Sequence, residues 1–402
     1  MEKRRKVLYV SYDGLTDPLG QSQILPYLLG LEKKGYDFTV LSFEKKGSFT
    51  ILEGRILSLL KDTNITWIPK FYTKKPPVFS TLFDLWVMYL TLRKIGPNHD
   101  ILHARSYLPM LVFQIIQKNQ HVLFDMRGLW ADERVEGKIW PQKKGLYRMI
   151  YRFFLKKESD FIDFTHGIVS LSHAGLKALT ERYPTKTFLE KATVIPCCVN
   201  TTLFKLLVSS PLTKEALGFP ATAKILVHVG SIGTWYRFDR EVALYIEMHK
   251  KDPNWYFLVL TKDLEQARRT LSEMGVESQK IKTLSAQYAE VPSYLSLADL
   301  SVFFIEPSFS KQASFPVKMA ESMAMGVPMV TNEGTGDVAE ILRDSHAGVA
   351  LPSLSDKDLE QFDFSVLHFD RAKIQAYAQT MFSVERGVEK YDEIYRRMKE
   401  IQ

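Results

Sequence analysis

Lys318 and Glu321 stand one helical turn apart in the stretch Ser314-Phe-Pro-Val-Lys-Met-Ala-Glu-Ser-Met-Ala-Met-Gly-Val-Pro-Met-Val-Thr-Asn332, so a cation and a carboxylate share one face. At a helix N-terminus that pair suits an anionic ligand that also carries hydroxyls. The exposed N–H groups and the Lys318 ammonium would take phosphate oxygens, and Glu321 would accept hydrogen bonds from a ribose diol. Taken alone, the pair also fits an ordinary surface ion pair worth about 0.3–0.5 kcal/mol. The surrounding elements bear on the choice. The apolar run Leu300–Ile305 precedes the stretch and Val327–Thr331 lies at its end, which predicts a short helix between two buried strands. Ser314 is placed to cap that helix and Pro316 suits its first turn. Val317, Met319, Ala320, Met323 and Ala324 fill the core side, and Gly326 ends the helix in the left-handed conformation that glycine tolerates. Lys318 and Glu321 then follow closely on a strand's C-terminal end, where open α/β sheets bind ligands.

Other chemistry-bearing residues also gather after apolar runs. His121-Val-Leu-Phe-Asp-Met-Arg-Gly-Leu-Trp-Ala-Asp-Glu-Arg134 reads as a strand entering a polar loop. Asp125, Arg127 and Glu133 could form the acceptor and transfer side of a cleft, or simply a salt-bridged surface loop. His103 and Arg105, after the preceding strand, are candidates for the same wall. Gly20 and Gln21 lie in a long turn after the first strand, and no G-x-G-x-x-G dinucleotide fingerprint is present. The turn Gly230-Ser-Ile-Gly-Thr-Trp-Tyr-Arg237 offers backbone amides from Ser231 through Gly233 to Thr234 as an anion-binding concavity, with Arg237 beside it. Asn332-Glu-Gly-Thr-Gly-Asp337 carries Gly334 and Thr335, as an approach to a sugar or phosphate or as a tight strand–helix turn. The D-x-D at Asp356-Lys-Asp358 sits at a helix start and reads as capping, so no metal site is expected.

The 314–332 stretch resembles the donor-binding motif of retaining glycosyltransferases of the GT-B fold, the large family-four group. It is closest to the pattern S-x-P-x-K-x-x-E-x-M-A-x-G-x-P, here Ser314, Pro316, Lys318, Glu321, Met323, Ala324, Gly326 and Pro328. The resemblance implies that Glu321 holds the nucleotide ribose and that Gly20 and Gln21 approach the donor diphosphate. It also sets the turn Leu284-Ser-Ala286 beside the base. Three positions depart from the family pattern. Ala313 stands where members often carry a first glutamate. Ser231 replaces a phosphate-gripping Arg. Arg127 stands in a loop where a His is common. The implied reaction moves a sugar from a nucleotide-diphosphate donor to a hydroxyl of a glycan or lipid-linked acceptor, with retention, in surface polysaccharide assembly. No general base is assigned; Arg127, Lys318 and Glu321 carry the catalytic expectation, with no cofactor and no metal. A nucleotide-sugar 2-epimerase of the same architecture and a non-catalytic nucleotide-binding relative are the alternatives.

Length and composition frame these expectations. A chain of 402 residues implies two domains, and 46% apolar with 25% charged residues is the balance of a globular protein. Strand–helix alternation in both halves predicts an α/β fold, two Rossmann-like domains facing each other across a cleft. The expected boundaries are 1–200 and 201–382, with a terminal helix at 383–402 returning to the first domain. The net charge of +7 suits anionic partners of many kinds, but no nucleic-acid module accompanies it. Cys197 and Cys198 are adjacent and cannot staple distant segments, which suits a reducing compartment. The basic N-terminus reads as a strand, and no apolar run spans a membrane. The expected location is the cytoplasm, with peripheral contact at the inner membrane face. Lys138–Lys157, rich in aromatic and basic residues, fits either a membrane-surface helix or a crossover helix covering a sheet; base rates favour the crossover.

Overall fold

The computed structural model describes residues 4–207, 211–276, 278–365 and 368–400. The chain divides into two compact units, 1–198 with 384–402 and 199–383. Each is built around apolar runs that become central parallel strands buried on both faces, the habit of sheets covered by crossover helices, while the edge strands are half-buried.

The first unit holds seven strands: β1 (Arg5–Ser11), β2 (Tyr36–Glu44), β3 (Ile65–Phe71), β4 (Ile101–Arg105), β5 (His121–Asp125), β6 (Gly167–Ser170) and β7 (Ala192–Val194). Their order is β3-β2-β1-β4-β5-β6-β7, every pair parallel. The second unit holds β8 (Lys224–Val229), β9 (Trp255–Leu260), β10 (Ile281–Leu284), β11 (Leu300–Val302), β12 (Met329–Asn332) and β13 (Gly348–Leu351), in the order β10-β9-β8-β11-β12-β13. Connections reverse direction between β1 and β4, and again between β8 and β11. At such a switch point the loops leaving neighbouring strands diverge and open a crevice, and both candidate clusters lie at one.

The terminal helix Val384–Glu400 belongs to the first unit. Val388, Tyr391, Ile394, Tyr395 and Met398 join Val7, Tyr27 and Phe38 in one core cluster.

Local structure departs from expectation in places with physical causes. The segment after the long first turn, which holds Gly20 and Gln21, is two helices, Pro18–Gln23 and Leu25–Lys33, with Ile24 at φ −126° between them. The motif helix begins at Val317, so Pro316 is its N-cap residue and Ser314 makes no cap; it lies in extended backbone at φ −105°. Gly326 does end it at φ +65°. The strand β13 was not expected: its run is four residues long and opens on Gly348, where a Cβ would lie 2.0 Å from the Met329 carbonyl oxygen. That close approach needs glycine, a poor strand former.

Candidate functional site

The second unit brings Lys318, Glu321, Gly230, Gly334 and Thr335 to the C-terminal end of its sheet. Lys318 is the second residue of the Val317–Ala324 helix and only 8% exposed. Its Nζ lies 3.0 Å from where a Cβ on Gly230 would stand, and 3.9 Å from the centre of the Tyr236 ring. Gly230, at φ +119°, therefore serves twice: it makes the turn after β8 and leaves room for the ammonium. Lys318 Nζ is buried and makes no hydrogen bond; the Thr335 hydroxyl is in the same condition. Burial pushes the Lys318 ammonium down to about 8, although the charges of Glu241 and Glu321 oppose it.

Glu321 is 7% exposed, and burial pushes its carboxyl up to about 7 against the pull of Lys318 and a hydrogen bond donated by Tyr288. Tyr288 follows the turn Leu284–Ala286, so that turn is tied to Glu321 through a phenol that sequence reasoning missed. Its own hydroxyl is pushed well up, first by burial and then by Glu321. Two further supports were also missed. His228 Nδ1 pairs with Glu241 Oε2 at 2.6 Å, both fully buried, and Glu241 Oε1 accepts from the Phe304 amide at 3.2 Å. Asn332 accepts from the Ile305 amide and donates to the Ile305 carbonyl, each at 2.9 Å, clipping together the chain segments that leave β11 and β12. An Asn ending an apolar run was the available signal.

Other expected donor residues sit differently. Arg237 is held by Asp239 at 2.8 Å and by Glu306 at 2.7 Å, so its charge is already matched by two carboxylates. Ser231 is exposed, and the amide after it, on Ile232, donates to Asp263 at 2.8 Å, which places an acid against the expected anion concavity. Ala313 is fully buried, and no carboxylate replaces it there from Glu306, whose side chain is half exposed and turned to Arg237. Gly334 takes φ +94° against Pro307.

In the first unit, β4 and β5 bring His103, Arg105, Asp125 and Arg127 together. Asp125 is fully buried; its carboxylate lies 3.6 Å from His103 Nε2, 3.7 Å from Arg105 Nη1 and 3.9 Å from Arg127 Nη1, and accepts from Tyr391 at 2.9 Å. Burial raises the Asp125 carboxyl, but Arg127, His103 and Arg105 together outweigh it and hold it below the ordinary range. Burial keeps His103 below its ordinary value, and so neutral at neutral pH. His103 Nε2, Arg105 Nε and Arg127 Nη1 are buried without a hydrogen bond. Arg127 adopts φ +56°, uncommon for a non-glycine residue. Glu133 lies apart from this group in sequence and element, in the first turn of the Trp130–Glu136 helix. Gly20 has a packing reason of its own: a Cβ there would lie 2.0 Å from the Gly14 carbonyl oxygen. Gln21 donates to the Thr16 carbonyl at 3.3 Å. Glu44, not singled out from sequence, anchors the same loop by accepting from the Leu15 and Thr16 amides.

Among the described residues no group of three or more His, Cys, Asp or Glu could hold a metal ion. Asp356 pairs with Arg240, and the helix cap at that end is Ser355, whose hydroxyl accepts from the Asp358 amide.

The architecture decides the fold family. The chain has the GT-B fold. The solved structure of Anabaena Alr3699/HepE in complex with UDP and glucose matches at TM-score 0.71 and 16% identity, covering 98% of this chain and 100% of that one. A glycosyltransferase from Rickettsia africae matches at 0.68 and 17%, covering 99% and 100%. WaaG, a glycosyltransferase involved in lipopolysaccharide biosynthesis, matches at 0.60 and 16%, covering 98% of each. Residues 223–362, a span within the second unit that includes Lys318 and Glu321, are similar to the family model of glycosyl transferases group 1. Comparison with curated protein sequences finds no match.

Proposed function

We propose that this protein transfers a sugar from a nucleotide-diphosphate donor to a hydroxyl of a glycan or lipid-linked acceptor, with retention, in surface polysaccharide or oligosaccharide assembly. The observation that carries the reading is the buried ammonium of Lys318, which makes no hydrogen bond and sits at a switch point one turn from a buried carboxylate. A buried ammonium without a hydrogen-bond acceptor is costly, and a diphosphate would supply acceptor oxygens that carry charge. Glu321 then accepts from the ribose, and the turn Leu284–Ala286 with Tyr288 faces the base. The binding of UDP by a structure of the same fold makes a uridine nucleotide the first donor to try.

In the proposed reaction the bond between the sugar's anomeric carbon and the donor phosphate oxygen breaks, leaving its electron pair on the diphosphate. The acceptor oxygen bonds to the same face of that carbon, and its proton passes to the departing phosphate. The work of the protein is to stabilise the growing negative charge with Lys318 and backbone amides. We assign Arg127, with His103, Arg105 and Asp125, to the acceptor side, and expect activity without an added metal.

Thermal stabilisation by UDP, GDP, ADP and their sugars tests this reading, with Glu321→Ala in parallel. A ligand at 100 times its Kd adds about 2.7 kcal/mol. One nucleotide should stabilise the wild type, and the variant should lose that shift. A variant that responds like the wild type, or no shift with any nucleotide, would reduce the helix to a structural element. Release of an epimerised sugar without any acceptor would point instead to a 2-epimerase.

A further inference from the structure

We propose that Tyr236 is a positioning residue for Lys318: its ring holds the ammonium in place without taking any of its hydrogen bonds. This rests on the donor site proposed above and adds to it a residue outside the 314–332 stretch. Three groups meet at Lys318 Nζ. One is Gly230, whose amide donates to the Leu260 carbonyl at 2.9 Å and whose own carbonyl lies 3.3 Å from His228 Nε2. The buried Phe303 ring has its centre 6.0 Å away. The Tyr236 ring is nearer, with its centre 3.9 Å from the nitrogen.

The carboxylates around this ammonium are engaged elsewhere. Glu241 uses Oε2 for His228 and Oε1 for the Phe304 amide, and Glu321 accepts from Tyr288. Their charges favour the protonated lysine, but neither hydrogen-bonds it. What holds the ammonium directly is therefore an aromatic face. A cation removed from water is attracted by the negative face of a ring. The ring carries no acceptor on that face, so the three N–H donors of the ammonium stay available to phosphate oxygens. A carboxylate in the same place would compete with the diphosphate for those donors. The cation is thus kept charged and aimed before the ligand arrives, which is the condition for electrostatic stabilisation without reorganisation.

The backbone fixes the ring at that point. Gly233 at φ +100° and Thr234 at φ +54° turn the chain back on itself, and Tyr236 then bridges to both Gly233 and Ile305. On either side, the Glu306 amide donates to the Trp235 carbonyl at 2.8 Å and the Arg237 amide to the Phe304 carbonyl at 2.9 Å. The Arg237–Glu306 ion pair belongs to the same clip, so Arg237 serves the site by tying down the loop that carries the ring. Trp235 holds Lys311 in the same manner, its ring centre 3.9 Å from a lysine that is itself buried. Successive residues thus present rings to two lysines of one segment. Without the Tyr236 ring, the nearest attraction for Lys318 is Glu321, one turn along its own helix. A lysine drawn there must be pulled back before it can meet phosphate.

The test is calorimetric titration of the full chain with inorganic pyrophosphate, with UDP, GDP and ADP, and with the matching nucleosides that lack phosphate. Tyr236→Leu should weaken binding of the diphosphate about 10-fold and leave the nucleoside unaffected. Tyr236→Phe, which returns the ring without the hydroxyl, should restore affinity to within about 2-fold of the wild type. Fluorinated phenylalanines at position 236 keep the shape of the ring and drain its negative face, so affinity should fall with each added fluorine. That series decides alone should Tyr236→Leu fail to fold. Trp235→Leu controls for the loop, and should bind the diphosphate more tightly than Tyr236→Leu does. Wild-type affinity in Tyr236→Leu or across the fluorinated series would overturn the proposal and leave the donor site standing. So would a Tyr236→Phe as weak as Tyr236→Leu, or an equal loss in Trp235→Leu, since the hydroxyl or the whole loop would then be at work. A wild type that binds neither pyrophosphate nor any of the nucleoside diphosphates would instead remove the donor site, and the role of Tyr236 with it.

Discussion

Lys318 and Glu321 are unusual as a pair because burial works against both charges at once. Glu321 is pushed up to about 7 from an ordinary 4.5, and Lys318 down to about 8 from 10.5. Between pH 4.5 and 7 the native state holds the extra proton, so stability falls as pH rises. Between pH 8 and 10.5 the unfolded state holds the extra proton, so stability rises with pH. Melting temperature should therefore pass through a trough near pH 7–8, and Glu321→Gln should remove its acid limb. A wild-type profile without that limb would mean that water reaches the carboxylate. A bound diphosphate and ribose favour the charged form of each group, so affinity for the nucleotide should peak where stability is lowest. Gly230→Ala tests the same geometry from the other side. Its methyl would stand 3.0 Å from Lys318 Nζ on a backbone at φ +119°. The variant should bind nucleoside diphosphate roughly 10-fold more weakly, about 1.4 kcal/mol, while a nucleoside lacking phosphate is unaffected. Equal losses for both ligands would place the fault in the turn and not in the cation.

At the scale of the element, the Val317–Ala324 helix owes its position to its two ends. Gly326 closes it at φ +65°, and a Cβ there would meet the Arg371 carbonyl oxygen at 2.6 Å. Both strain and contact oppose a side chain, so Gly326→Ala should cost more than the ~1 kcal/mol of an ordinary left-handed substitution. Urea denaturation of the two proteins measures it, and a loss below that figure would show that the Arg371 segment yields freely. This end of the helix is legible in the amino-acid sequence because its signals are local: an apolar period, a Gly, a following Pro. The strands are legible for a related reason, since parallel strands buried on both faces appear as unbroken apolar runs such as Trp255–Leu260 and Val7–Val10. Long-range pairing leaves no such trace. Glu306 captures Arg237 across 69 positions of chain, and Asn332 reaches back 27 to the Ile305 backbone. Tyr288 finds Glu321 from a different element altogether. Composition marks these residues as polar without saying which neighbour the fold will hand them, and β13 stays hidden because a short run opening on glycine looks like a turn.

Across the whole molecule, the first unit is discontinuous in sequence: it needs residues 384–402, which follow all of the second unit. Val384, Val388, Tyr391, Ile394, Tyr395 and Met398 are each no more than 8% exposed. At about 1.5–3 kcal/mol for each large side chain removed from water, their loss is comparable to the whole stability of a domain, about 5–15 kcal/mol. The same helix completes the polar cluster, since Tyr391 donates to Asp125 at 2.9 Å and the Tyr395 hydroxyl pairs with His103 Nδ1 at 2.6 Å. A chain ending at residue 198 should therefore show no cooperative melting transition, whereas residues 199–383 expressed alone should melt cooperatively. Adding a peptide of residues 384–402 should restore a transition to the first fragment, and Tyr391→Phe with Tyr395→Phe in that peptide should lower its midpoint. Cooperative melting of the first fragment by itself would show that β1–β7 close their core without the returning helix, and the helix would then matter only for the His103–Asp125 cluster.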